Sequence, residues 1–150
     1  MSELIESIFR EYDIRGIFPE ELNEDSIAKI AQSIAHKCNK ESVDEVVIAR
    51  DGRLSGPSLL ESLQKSLNAN GINTINLGLA TSPLLYYAAK KQPSKSGIMI
   101  TGSHNPKNYN GIKLVIDDKP VSGTEIFGLS KTDLSSGNSK GENRLSLIHI

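Results

Sequence analysis

The chain has 150 residues, enough for one domain that buries roughly two thirds of the surface its unfolded form exposes. Its net charge of −1, scattered basic residues, four tyrosines and three phenylalanines exclude a basic, aromatic-rich nucleic-acid surface and favour a small polar ligand. A single cysteine excludes an internal disulfide and any multi-cysteine metal site.

Apolar periodicity alternates between helix and strand along the chain. From Asn23, a candidate N-cap, apolar residues fall at Ile27, Ile30, Ala31, Ile34, Ala35 and Cys38, one face of an amphipathic helix that buries the cysteine as an inert thiol. Glu45 to Ala49 reads as a buried strand. Ser55, Gly56 and Pro57 open a second helix carrying Leu59, Leu60, Leu63 and Leu67, and Asn70-Gly71 closes it. Ile72 to Leu77 is the next strand, Thr81, Ser82 and Pro83 start a short helix through Ala88, and Gly97 to Thr101 is a further strand. Helices between strands are crossovers, which predicts an α/β fold: a three-layer α/β/α sandwich around a mainly parallel mixed sheet.

The segment Thr101 to Lys113, TGSHNPKNYNGIK, carries the chemistry. It places Ser103 just past the C-terminal end of a strand, where ligands bind in parallel α/β sheets. Gly102 lets the backbone bend and approach a ligand, Pro106 restrains the loop, and Asn110-Gly111 is expected to turn the chain into a strand from Ile112 to Ile116. A hydrolase elbow needs Gly-x-Ser-x-Gly before a helix, and Gly102-Ser103-His104-Asn105-Pro106 before a strand does not supply it. His104 adjoins Ser103, and in an extended segment neighbours point to opposite sides, so His104 is expected to touch substrate or phosphate and not to deprotonate Ser103. The plainer alternative is a polar turn whose side chains cap backbone groups.

This segment resembles the phosphoserine loop of the α-D-phosphohexomutases, and TGSHNP followed by YNGIK is most similar to the phosphomannomutase/phosphoglucomutase branch. FREYDIRG, Phe9 to Gly16, resembles the family's N-terminal signature, and VVIARDGRLSG, Val46 to Gly56, its strand and Arg-Asp-Gly-Arg turn. Two departures are visible: Ala49 where the family often has glycine, and Thr81-Ser82-Pro83 for the commoner Pro-Thr-Pro. The resemblance covers the first of the family's four domains, leaving domains 2–4 beyond this chain.

The resemblance implies an isomerase that interconverts hexose 1-phosphate and hexose 6-phosphate, mannose or glucose, through phosphorylated Ser103 and a hexose 1,6-bisphosphate. It implies Lys113 as general acid/base or charge stabiliser, Arg15 on the phosphoserine or substrate, and Tyr12 near the sugar. It also implies magnesium held through the Ser103 phosphate and by an aspartate-rich loop of the second domain. Arg53 is a weaker substrate candidate, because an arginine beside Asp51 more often fixes a loop. Each has a structural alternative: Lys113 as a solvated strand residue, Arg15 paired with Asp13 or Asp51, Tyr12 as core filling. A phosphoglucosamine mutase and a non-catalytic sugar-phosphate-binding module are the competing functions.

Towards the C-terminus, Ser122 opens a helix with Glu125 as capping-box partner. Residues 1–134 then form the domain and 135–150 a flexible tail, since Ser135 to Asn143 is rich in Ser, Gly and Asn without periodicity. The last six residues, LSLIHI, resemble the in-frame translation of a sequencing-library adapter, which removes His149 as a metal ligand. No apolar run is long enough to span a bilayer and MSELIESIFREYD has no signal-like organisation, so the expected compartment is the cytoplasm, with no membrane partner.

Overall fold

The computed structural model describes residues 4–130 and 143–145. Its first element after a short 3-10 turn is strand β1, Ile14–Ile17, and helix α1 follows at Glu24–Lys40. Asn23 caps α1 reciprocally: its Oδ1 accepts from the Ser26 amide at 3.0 Å while its own amide donates to Ser26 Oγ at 2.8 Å. The apolar stripe anticipated from Ile27 to Cys38 is buried throughout. Strand β2, Glu45–Arg50, leads to α2, Gly56–Ala69, whose four leucines are also buried. Strand β3, Asn73–Leu79, helix α3, Ser82–Lys90, and strand β4, Gly97–Ile100, complete the alternating part. Thr81 Oγ1 accepts the Leu84 amide at the start of α3.

Beyond β4 lie β5, Tyr109–Ile116, β6, Lys119–Pro120, and α4, Gly123–Ser130, and a last strand, β7, is Asn143–Leu145. The sheet order is β1-β5-β4-β2-β3-β7, with β6 on β5. Strand β2 pairs in parallel with β3 and β4, and β3 with β7, whereas β5 pairs antiparallel with β1, β4 and β6.

Strand residues alternate between faces, so β2 and β4 serve two cores. Val46, Ile48, Ile98 and Ile100 face α1 and α2, together with Ile112, Leu114 and Ile116 of β5. Val47, Ala49 and Met99 face the other way and meet Leu85, Ala88 and Ala89 of α3. Helices α1, α2 and α4 share the first side, where Ile126 of α4 joins the core. The second side carries α3, which packs on β2 and β4. Between α3 and β5 a groove of about 530 Å³ stays open, lined by Tyr12, Tyr86, Ala89, Lys113 and Val115 among others.

Two expectations need correction. Asn110-Gly111 is not a turn: β5 begins at Tyr109, because antiparallel pairing with β1 sets Gly16 opposite Asn110 and Ile17 opposite Tyr109. Asn110 is buried, and its side-chain Nδ2 donates to Ser55 Oγ at 2.8 Å. Strands β1 and β6 were not anticipated, being short and irregular in period. Asn143–Leu145 is a strand and not tail, paired in parallel with β3 so that Thr74 stands opposite Asn143. The rest of the expected tail lies outside the described residues, apart from those three.

Candidate active site

The loop after β4 begins where three strands meet. Thr101 donates its amide to the Gly111 carbonyl at 2.9 Å, and Gly111 stands opposite Arg15 of β1. From there the loop folds on itself: the Asn105 amide and Asn105 Nδ2 both donate to the Gly102 carbonyl, at 3.0 and 2.9 Å. Ser103 sits at φ +53, in the left-handed region, which costs a residue with a Cβ about 1–2 kcal/mol unless its surroundings impose it. Its amide donates to Thr101 Oγ1 at 3.1 Å. Ser103 is half-buried and His104 exposed. The segment is thus a turn and not extended, so strand alternation does not govern how His104 sits beside Ser103.

Asp51 and Arg53, at the end of β2, hold this turn from beneath. Asp51 Oδ2 accepts from Thr101 Oγ1 at 2.8 Å and from the Gly102 amide at 3.2 Å. Arg53 Nη1 donates to the Pro106 and Tyr109 carbonyls, and Nη2 to those of Ser103 and Asn105, the last at 2.8 Å. Its Nε faces Asp51 Oδ2 at 3.4 Å. These contacts engage the whole donor fork of the guanidinium. Arg53 is therefore built into the loop, with its Nη donors given to loop carbonyls. A Cβ on Gly102 would collide with that guanidinium, so the close approach this glycine permits is to Arg53 and not to a ligand.

Arg15 and Lys113 share one face of the sheet. Arg15 is opposite Gly111, and Lys113 is two residues further along β5, on the same side by the two-residue period. Lys113 pairs with Met99, whose side chain belongs to the core under α3, which confirms the face. Arg15 Nε donates to Asp13 Oδ2 at 2.6 Å, and Asp13 is only 7% exposed. Between the two carboxylates weighed as its partner, Asp13 is the one it meets. Burial and, secondarily, the charge of Asp13 raise the pKa of the Tyr86 phenol, which places Asp13 within electrostatic reach of α3. Tyr12 is 81% exposed, which removes core filling as its role. It lines the open groove with Lys113 and Tyr86.

The sequence reading missed Tyr86, which nothing local announced, whereas an arginine two residues after a strand-end aspartate was already a signal that Arg53 fixes the loop. Among the described residues, no three His, Cys, Asp or Glu side chains are grouped so as to hold a metal ion.

The chain matches the family model for phosphoglucomutase/phosphomannomutase, alpha/beta/alpha domain I, over residues 6–128. It is 42% identical over 126 residues to a phosphoglucomutase of Neisseria gonorrhoeae, covering 84% of this chain and 27% of that protein. A phosphomannomutase/phosphoglucomutase of Pseudomonas putida is 44% identical over 126 residues, again 84% and 27%. The crystal structure of a phosphoglucomutase/phosphomannomutase family protein from Burkholderia thailandensis superposes with a TM-score of 0.87 at 34% identity, covering 95% of this chain and 33% of that one. The chain thus spans about a quarter to a third of the length of the relatives it matches.

Proposed function

The chain belongs to the phosphoglucomutase/phosphomannomutase family, and from that premise we propose that it is the phosphoserine-bearing first domain of a four-domain mutase acting on mannose or glucose phosphates. The observation that carries the reading is Ser103 itself, held in a left-handed turn at the C-terminal end of β4 beside a sheet face bearing two cations, Arg15 and Lys113.

In this proposal phosphorylated Ser103 carries about −1.5 to −2 charges at pH 7, which Arg15, Lys113 and the Ser103 loop must offset. The P–O bond to Ser103 breaks as a P–O bond to a sugar hydroxyl forms, and the proton lost by that hydroxyl balances the one Ser103 regains. Lys113 is the group proposed to move it. The hexose 1,6-bisphosphate so formed reorients and returns its other phosphoryl group to Ser103, so the same compound also primes the enzyme. A loose phosphoryl-transfer transition state gains chiefly from positioning and charge, so fixed cations on a rigid sheet suit it. Tyr12, exposed over the groove, and His104, exposed on the loop, are proposed to contact sugar or phosphate.

The described residues do not by themselves make a magnesium site. The ion is proposed to bind through the Ser103 phosphate and donors from other domains, where it would offset phosphoryl charge. The cytoplasm is the proposed compartment; no described helix is long and apolar enough to cross a membrane.

Intact mass and peptide mapping test the central assignment. The complete polypeptide, incubated with glucose 1,6-bisphosphate, should gain one phosphoryl group on the Ser103 peptide. Ser103→Ala should lose both that group and most turnover while keeping its melting temperature. Wild-type turnover in the variant overturns the assignment.

A further inference from the structure

Arg53 is the most heavily engaged side chain near Ser103, yet nothing in the chemistry proposed so far uses it. Its two Nη atoms meet four main-chain carbonyls drawn from both limbs of the loop, Ser103 and Asn105 on one side, Pro106 and Tyr109 on the other. Its side chain is 15% exposed, with Asp51 as counter-charge at 3.4 Å. One of the four carbonyls is that of Ser103, so the guanidinium grips the very peptide unit that follows the left-handed residue. Asp51 holds the chain one peptide further back, through the Gly102 amide and Thr101 Oγ1, and that same Oγ1 accepts the Ser103 amide.

We propose that Arg53 is a positioning residue for Ser103: its guanidinium gathers the four carbonyls, and together with Asp51 it imposes the left-handed backbone that sets the direction of the serine hydroxyl. The relevance to catalysis rests on Ser103 being the phosphoryl carrier, but the positioning itself does not. A planar fork is needed, because carbonyls on two limbs must be met at once by donors fixed in one plane. Lysine offers three donors from a single atom and cannot span them. The arrangement also sorts the peptide dipoles of the loop. A trans peptide sets its N–H opposite its C=O, so carbonyls drawn toward the guanidinium turn the amides of His104 and Lys107 away from it. Outward amides suit a phosphoryl group carried on the same loop.

Nuclear magnetic resonance on the chain itself tests this, with Arg53→Met to keep the stem without donors, Arg53→Lys to keep the charge, and Arg53→Ala with added guanidinium. In the wild-type chain the Arg53 Nη signals should be resolved through hindered rotation. In the Met and Lys variants the Ser103 amide–Hα coupling should move to its extended-region value, and the Asn105 amide should exchange about tenfold faster or more. Millimolar guanidinium should restore both readouts in Arg53→Ala, which a space-filling role would not allow. Averaged Nη signals in the wild type overturn the proposal, as does an unchanged Ser103 coupling in Arg53→Met or a shift that guanidinium fails to reverse. In the complete mutase, Arg53→Lys should lower kcat about tenfold or more with KM little changed. Full turnover in Ser103→Ala would defeat the reading of Ser103 as carrier while leaving the resonance outcomes to decide the role of Arg53.

Discussion

Lys113 shows how one side chain can be tested for chemistry against mere solvation. Its Ile112 and Leu114 neighbours are buried in the main core, and Lys113 itself faces the open groove with Tyr12 and Tyr86. If it moves a proton or offsets developing charge, Lys113→Met should lower turnover of the complete enzyme roughly a hundredfold with a much smaller change in substrate binding. A solvated strand lysine would leave the rate near wild type, and steady-state kinetics distinguish the two. Cys38 makes the opposite case, a reactive atom silenced by its surroundings. Burial, reinforced by the charge of Glu41 and opposed by Lys37, pushes its thiol from 9.0 to about 12. The folded state holds this proton longer than the unfolded state, so the thiol's contribution is complete below about pH 9. It is lost as pH rises from about 9 towards 12, with a slope of up to about 1.4 kcal/mol per pH unit. Urea unfolding of the wild type and Cys38→Ala at pH 8 and pH 10 should show a steeper decline in the wild type. Parallel pH dependences would show that the thiol is not linked to folding.

At the scale of elements, the site depends on β5 lying tightly between β1 and β4. Gly111 is where that packing is closest: a Cβ there would run into the Ile14 carbonyl and come within 3.1 Å of the Thr101 carbonyl. The obstacles are backbone atoms of β1 and of the segment just past β4, which side-chain rotation cannot relieve. Gly111→Ala should therefore destabilise the chain by roughly 2–3 kcal/mol and push β1 away from β5. Hydrogen exchange checks both effects, because loosened β1 pairing should expose the amides shared by the two strands ahead of the α1/α2 core. Protection of those amides at the wild-type level would mean that the sheet absorbs the methyl group.

For the molecule as a whole, the unequal covering of the sheet is the governing feature. Among the described residues three helices close one face, whereas the other has α3 and an open groove beside the cations proposed for catalysis. Phosphate-monoester chemistry needs accelerations approaching about 10²¹, beyond what one loop and two or three cations provide without an oriented acceptor. The chain alone is accordingly expected to unfold cooperatively, to bind magnesium weakly, and to convert neither glucose nor mannose 1-phosphate measurably. A coupled assay on chain purified free of host mutase checks this, and turnover there would defeat the four-domain proposal.

Much of this was legible in the residues themselves. The stripe from Ile27 to Cys38, the four leucines of α2, the Asn23 cap and the serine loop after a buried strand are all set by short-range periodicity and local hydrogen bonding, which a sequence displays directly. The branch of the family was legible too, in Thr101 to Lys113. Tertiary structure alone decided the rest. Whether Arg53 would meet sugar or loop depended on carbonyls some fifty residues away, brought under it only after the chain has passed through α2, β3, α3 and β4. Whether Asn110-Gly111 would turn or extend depended on β1, a strand too short to be visible by period and formed only because β5 offers it an antiparallel edge. Hydrophobic pattern specifies which face of an element is buried. The partner that a polar side chain finds is specified by where the chain returns, and that is a property of the assembled sheet.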